Sequence, residues 1–454
     1  MKATNYTSTT NACKLCRPIG ACLAFRGVEG AVPFLHGSQG CATYMRRYII
    51  SHFGEPIDIA SSSLGEKHAV FGGGPNLKQG ILNVIKKYEP AFIGVATTCL
   101  TETIGDDVTM ILREFQEEYL NESHSLKIVS ASTPSYAGTH MEGFRGATRN
   151  IVEAMTRGVP APVKKHSINI FPGFVSPEDI RYLKELARAF DAEITILPDI
   201  SETLDAPILL EYPKIPKGGT PLRAIGQMHG ALCSIEFGRS VDDTLSSAKY
   251  LSDEFGVDAH RIGTPIGIRE TDIFVSILEA STGKGLPEEH RLERERLIDS
   301  MVDGHKYVFG KGAVVYGEED LVIGLTSFLS EIGIRPLLCA TGGKSPHFKK
   351  AIMEVTRGLL PEPPLVREGV DFWEIEQISK ELSPDIILGN SKGYKVARAL
   401  KVPLVRVGFP IHDRIGGQRI LHLGYRGAQW LFDTIVNTLI SAKQESSKVG
   451  YWYF

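Results

Sequence analysis

Short apolar runs alternate with amphipathic stretches along most of this chain. The first four runs have the composition of buried strands and lie at Val32–Leu35, Ile57–Ala60, Phe92–Ala96 and Lys127–Ser130. The stretches between them carry apolar residues at helical spacing, at Thr43–His52, Leu77–Tyr88 and Val108–Tyr119. Strands that alternate with helices predict a parallel, doubly wound α/β sheet.

The same alternation recurs twice, which predicts three α/β domains. A helix over Met141–Thr156 closes the first, and the prolines and lysines at 160–165 indicate a boundary. The second begins with a strand at Ile168–Phe171 and ends at the loop Gly283–Pro287. We therefore expect domains at residues 1–162, 163–285 and 286–454.

Charge and composition exclude several classes of function. The chain of 454 residues has 50 Lys and Arg against 53 Asp and Glu, so it lacks the basic surplus of a general nucleic-acid binder. No apolar stretch is long enough to span a membrane, and the polar Met1–Thr10 lacks the apolar core of a signal peptide. We expect a cytoplasmic protein with no membrane contact. In that reducing compartment, seven cysteines suggest metal or redox chemistry rather than disulfides.

Three cysteines lie at positions where ligands bind in open α/β folds. Cys41 and Cys99 come shortly after the predicted strands Val32–Leu35 and Phe92–Ala96, and Cys16 precedes a helix that begins near Pro18. Neighbouring glycines let the backbone approach a bulky inorganic group. Thiolates in such a pocket suit an iron–sulfur cluster.

Other interpretations of the cysteines stay open at this point. The spacings of 25 and 58 residues match no ferredoxin-type run, and a lone cysteine is most often a buried structural residue. Cys13-x-x-Cys16 has the spacing of half a zinc site or of a redox pair, and Cys13 is an alternative first ligand. The apolar surroundings of the remaining cysteines predict core positions for Cys22, Cys233 and Cys339.

Three further motifs have structural explanations. Gly343-Lys344-Ser345 lacks the earlier glycine of a phosphate-binding loop, so we expect a turn and a helix cap. Asp106-Asp107 precedes a predicted helix and suits a cap better than a cation site. The aromatic C-terminus, Tyr451–Phe454, predicts docking on a partner chain or another domain.

In combination, these motifs resemble the β-type chains of the nitrogenase superfamily over essentially the whole length. Cys16-Arg-Pro-Ile-Gly-Ala21 resembles the first cluster-cysteine motif, His36-Gly-Ser-Gln-Gly-Cys41 the second, and Thr97-Thr-Cys99 with Ile104-Gly-Asp-Asp107 the third. Thr133-Pro-Ser135 resembles the segment that adds a serine contact to the cluster.

The resemblance implies three Rossmann-like domains and an iron–sulfur cluster shared with an α-type partner in an α2β2 heterotetramer. It implies Cys41, Cys16 and Cys99 as cluster ligands, with Ser135 as a weaker candidate and with His36, Gly37 and Gly40 supporting the Cys41 loop. The partner would hold the iron–molybdenum cofactor or its precursor, and an iron protein would deliver electrons with ATP hydrolysis.

The resemblance also extends to two functional branches. Glu55–Ser63 and the stretch from Phe409 to Gly427 resemble the cofactor-assembly scaffold of the NifN type. We therefore expect a scaffold subunit with a NifE-like α-type partner and a precursor donor protein, on which the iron–molybdenum cofactor precursor matures. The alternative is the β subunit of a catalytic molybdenum–iron nitrogenase, which the retained cysteines and Ser135 favour. A tetrapyrrole reductase relative is a third interpretation.

Overall fold

The computed structural model describes residues 11–120, 125–160, 166–208 and 210–449. Within these ranges the chain divides into two compact units. The cysteine unit comprises residues 16–261 and 280–284, and the C-terminal unit comprises residues 11–15, 262–279 and 285–449. The predicted aromatic tail and most of the predicted boundary at 160–165 lie outside the described residues.

The first sheet of the cysteine unit has the strand order β2-β1-β3-β4, and its pairings are parallel. Its strands are β1 Ala31–His36, β2 Ala60–Ser61, β3 Phe92–Thr97 and β4 Lys127–Ala131. The accompanying helices are α1 Arg17–Arg26, α2 Gln39–Phe53, α3 Glu66–Phe71, α4 Gly74–Tyr88, α5 Cys99–Ile104, α6 Val108–Tyr119 and α7 His140–Thr156. Apolar side chains of β1, β3, α4 and α6 form one buried core on this sheet.

A second sheet follows, with the strand order β6-β5-β7-β8 and with β5 parallel to β6 and β7. Its strands are β5 Ser167–Phe171, β6 Glu193–Ile196, β7 Cys233–Phe237 and β8 Asp258–Ile262. Its helices are α8 Pro177–Ala189, α9 Leu222–Ile225 and α10 Ser247–Phe255. The predicted division at 162–163 lies between the first two sheets. The three-domain division stays a prediction, because β5 to β7 belong to the same compact unit as the first sheet.

The third sheet lies in the C-terminal unit and has the parallel order β11-β10-β9-β12-β13. Its strands are β9 Gly312–Gly317, β10 Arg335–Thr341, β11 Leu365–Arg367, β12 Ile386–Gly389 and β13 Leu404–Arg406. The helices of this part of the chain are α11 Gly267–Thr282, α12 Glu288–Val308, α13 Glu319–Glu331, α14 Phe348–Thr356, α15 Phe372–Leu382, α16 Tyr394–Leu400 and α17 Gly424–Ser446.

The predicted fold class, α/β with parallel sheets, is confirmed. One predicted strand is much shorter than expected, since only Ala60 and Ser61 pair with β1 in the region predicted at Ile57–Ala60. Just before this strand, the carbonyl of Ile57 accepts a hydrogen bond from Arg46 Nε at 2.7 Å. Among the described residues, no helix is long and apolar enough to cross a membrane.

Helices α1 and α7 cross at two glycines. A Cβ on Gly20 of α1 would overlap the carbonyl oxygen of His140, and a Cβ on Gly143 of α7 would overlap the carbonyl oxygen of Arg17. The two backbones therefore lie in direct contact, an approach that a larger side chain prevents. This crossing places the start of α1 beside the start of α7.

We expect Gly143→Ala to destabilise the chain by about 1–3 kcal/mol, because the added methyl group forces the two helices apart. Urea unfolding monitored by circular dichroism measures the change. Gly146→Ala on the same helix is the matched control, since its Cβ would make only an ordinary contact 3.6 Å from Leu245. The control should be neutral or stabilising, because alanine favours helix over glycine. Equal stability of the Gly143→Ala variant and the wild type would contradict the prediction.

Candidate functional site: three cysteines at helix starts

The three predicted ligand cysteines each lie at the start of a helix in the cysteine unit. Cys16 is the N-cap of α1, Cys41 lies in the first turn of α2 and Cys99 is the first residue of α5. Cys16 and Cys99 are exposed, and Cys41 is half-buried. The thiolate is the form of cysteine that binds iron.

The other four cysteines have a different environment. Cys13, Cys22, Cys233 and Cys339 are buried, as predicted for the last three. Burial raises the pKa of Cys13, Cys22 and Cys339 to about 12 and also raises the pKa of Cys233, because a thiolate loses its hydration in the core. These four thiols are therefore held protonated, and metal binding is disfavoured.

Strand pairing brings the Cys41 and Cys99 loops to one edge of the first sheet. β1 and β3 are parallel neighbours with His36 opposite Thr97, so both loops leave from the same edge. A Cβ on Gly37 would overlap the side chain of Thr98, so glycine is required where the loops touch. Gly40, also predicted to support the Cys41 loop, is exposed and has open space around it.

Ser135 connects Cys99 to the start of α1. Its amide donates a hydrogen bond to Cys99 Sγ at 3.2 Å, and its hydroxyl accepts one from the Arg17 amide at 3.2 Å. The Arg17 guanidinium also donates to the carbonyl of Ala137 at 3.1 Å. The structure thus brings Cys99, Ser135 and the residue after Cys16 together, although they are far apart in sequence.

His36, at the end of β1, is fully buried and lies between two partners. Its Nδ1 is 3.0 Å from Ser62 Oγ and its Nε2 is 3.0 Å from Asp106 Oδ2. Ser62 Oγ also accepts a hydrogen bond from the Gly37 amide at 2.9 Å, so this network holds the loop that leads to Cys41. Burial lowers the pKa of His36, and the Asp106 carboxylate opposes part of that effect.

The sequence did not reveal the contribution of Asp106. Asp107 caps α6, as expected for this pair, by accepting a hydrogen bond from the Met110 amide at 2.9 Å. Asp106 instead accepts hydrogen bonds from the Gly73 amide as well as facing His36. The two aspartates at the start of one helix were the only signal, and nothing in the spacing distinguished a cap from a partner of His36.

The donor set fits an iron–sulfur group. Exposed thiols at helix starts and the Ser135 hydroxyl are sulfur and oxygen donors of the kind that such clusters use. Among the described residues, no three His, Cys, Asp or Glu side chains converge as a closed metal site. The ligand assignment of Cys16, Cys41, Cys99 and Ser135 stays a prediction.

Comparison with known proteins defines the class. Residues 16–440 match the family model described as "Nitrogenase component 1 type Oxidoreductase". This chain belongs to that family.

Similar proteins within the family are β chains. The Clostridium pasteurianum nitrogenase molybdenum–iron protein β chain is 35% identical over 95% of this chain and 93% of its own length. The Methanothermobacter thermautotrophicus molybdenum–iron β chain is 38% identical over 94% of this chain and 93% of its own length. A solved structure described as "Nitrogenase Cp1 at pH 6.5" superimposes with a TM-score of 0.95 at 33% identity, covering 100% of this chain and 98% of that one.

The expectation of a cofactor-assembly scaffold is wrong. Curated relatives with 34–38% identity are named molybdenum–iron protein β chains, and a vanadium–iron protein β chain from Trichormus variabilis is 36% identical. Within the segments that suggested the scaffold, Ser62 contacts His36 and Gly427 lies against the backbone of His422.

We expect the stability of the wild type to fall on acidification partly because of His36. Burial lowers its folded-state pKa, so the unfolded chain binds a proton more readily and stability is lost as the pH falls below about 6.5. Between pH 7.5 and 5.5 the free energy of unfolding of the wild type should fall by up to about 1.4 kcal/mol more than that of His36→Gln. Melting temperatures at both pH values measure this. His166→Gln, at an exposed position, is the control and should behave like the wild type. An equal loss of stability in the wild type and in His36→Gln would refute the prediction.

Proposed function

We propose that this chain is the β subunit of a catalytic nitrogenase component 1, paired with an α-type chain in an α2β2 heterotetramer. The proposal rests on three cysteines at helix starts, two of which are exposed. Ser135 forms hydrogen bonds with Cys99 and with Arg17, the residue after Cys16. The similarity to molybdenum–iron and vanadium–iron β chains supports the catalytic role.

In this proposal Cys16, Cys41 and Cys99 supply this chain's ligands to an iron–sulfur cluster at the interface with the α-type chain. The exposure of Cys16 and the burial of Cys13 favour Cys16 as the first ligand. When bound, the cluster supplies one-electron transfer between an iron protein and the iron–molybdenum or related cofactor held by the partner chain.

The residues of this chain prepare the ligands for that cluster. The Ser135 amide donates a hydrogen bond to Cys99 Sγ at 3.2 Å, which orients the sulfur. The Ser38 hydroxyl lies 3.7 Å from Cys41 Sγ in a similar relation. The Ser135 amide contacts Cys99, and a hydrogen bond from the Arg17 amide holds the Ser135 hydroxyl, which we propose as an additional oxygen ligand.

Replacing each ligand cysteine tests the site. Cys16→Ala, Cys41→Ala and Cys99→Ala should each lower the iron bound per tetramer and reduce activity by at least about tenfold, because ligand loss exceeds the typical cost of disturbing a supporting residue. Iron analysis and electron paramagnetic resonance of anaerobically purified complexes measure the effect. Cys22→Ala on α1 is the matched control, since its buried thiol should leave the iron content unchanged. A wild-type iron content in all three variants would contradict the assignment of these cysteines as ligands.

The catalytic role is tested with the assembled complex. Co-purified with its α-type chain and supplied with iron protein, ATP and reductant, the complex should reduce dinitrogen to ammonia. Ammonia and acetylene reduction are measured with and without the iron protein. A complex that is inactive alone but that activates a cofactor-free nitrogenase apoprotein would contradict the proposed role.

A further inference from the structure

The third sheet has the topology that creates a ligand crevice. Its first strand, β9, lies in the middle, with β10 and β11 on one side and β12 and β13 on the other. In open sheets of this kind, ligands bind at the carboxyl ends of the strands where the chain changes direction. Here that position lies above the ends of β9, β10 and β12, at Gly317, Thr341 and Gly389.

The N-terminal residues Asn11, Ala12 and Cys13, here called the strap, occupy this edge. Their three successive carbonyls each accept a hydrogen bond from a different element of the C-terminal unit. The donors are the Phe372 amide to Asn11 at 3.2 Å, Lys392 Nζ to Ala12 at 2.6 Å and the Gly342 amide to Cys13 at 3.2 Å. Ala12 also forms an isolated antiparallel bridge with Asp371.

The side chain of Cys13 anchors the strap. It is 6% exposed and belongs to the apolar core of the third sheet, together with Tyr316, Phe372 and Val396. Gly342 lies so close that an added Cβ would stand 2.5 Å from the carbonyl carbon of Cys13. The main chain of the strap therefore packs against a position where only glycine fits.

The donors that a phosphate ligand would need are already used. The Lys392 ammonium and the Gly342 amide, a cation and a main-chain N–H at the carboxyl edge, bind strap carbonyls. In the nearby Gly343-Lys344-Ser345 segment, the Ser345 amide donates to the Glu368 carboxylate at 2.9 Å. A negative charge at that position disfavours a second anion.

We propose that the strap permanently occupies the ligand crevice of the third sheet. Lys392 holds it by a hydrogen bond, and the missing side chain of Gly342 leaves room for it. A peptide of the chain itself takes the place that a nucleotide takes in other doubly wound sheets. The assignment concerns the C-terminal unit alone and is independent of the proposed catalytic role.

Thiol labelling of Cys13 tests the proposal in the full-length chain. Trypsin cuts after Lys2 and Lys14, so the peptide of residues 3–14 contains Cys13 as its single cysteine and mass spectrometry reads its labelling. In the wild type, N-ethylmaleimide should label Cys13 slowly because it is buried. Lys392→Met should raise the rate at least tenfold, whereas Lys392→Arg should keep it near the wild-type rate. Lys395→Met, at an exposed position on α16, is the matched control.

A steric variant gives an independent test should Lys392→Met fail to fold. Gly342→Ala should displace the strap and raise Cys13 labelling at least tenfold, while Gly285→Ala, with its nearest contact at 4.0 Å, should not. Melting profiles identify the variants that are folded. Wild-type labelling rates in folded Lys392→Met and Gly342→Ala would overturn the proposal. Faster labelling of the wild type on addition of ATP would also overturn it, since a nucleotide would then displace the strap.

Discussion

The close crossing of α1 and α7 is the constraint on which the candidate site depends. Because Gly20 and Gly143 have no side chains, the carbonyl of Arg17 can lie against α7, and the Arg17 amide is left facing the Ser135 hydroxyl. The same serine donates its amide to Cys99. The close approach of the two helices therefore helps to hold the start of α1 beside Ser135. Helix α1 also packs closely on the first sheet, since the ring of Phe25 lies against Gly94 of β3.

The seven cysteines show how position gives one residue type two kinds of chemistry. In the core, burial holds a thiol protonated and makes it a small apolar side chain. At the start of a helix, the exposed thiols of Cys16 and Cys99 are accessible to a metal group. Cys13 and Cys16 are three residues apart and fall on opposite sides of this division. Cys13 enters the apolar core of the third sheet, whereas Cys16 is the exposed N-cap of α1.

Much of the fold could be predicted from local sequence. The strands β1, β3 and β4 and the helices α6 and α7 lie where the apolar pattern predicted them, and the Ser176 cap of α8 was also expected. The positions of Cys41 and Cys99 after parallel strands followed from the same pattern. Residues whose partners are distant could not be found in this way. Asp106 faces His36 across 70 residues, and no periodicity reports such a contact.

The choice between scaffold and catalytic subunit also could not be made from the residues. The proposed ligands, Cys16, Cys41, Cys99 and Ser135, suit an iron–sulfur group in either kind of subunit. Similarity over nearly the full length to named β chains favours the catalytic subunit, because it weighs the whole chain rather than a few short motifs.

The strap also has a consequence for the order in which the chain is completed during synthesis. Ala12 and Lys392 are 380 residues apart, so the ribosome finishes the anchor long after it has made the segment that binds there. At a synthesis rate of about 5–20 residues per second, the delay is roughly 20–80 s. During that interval Cys13 has no core to enter and the edge of the third sheet does not yet exist. Residues 11–13 are therefore among the last to reach their native positions, because their partners Gly342, Phe372 and Lys392 are made much later.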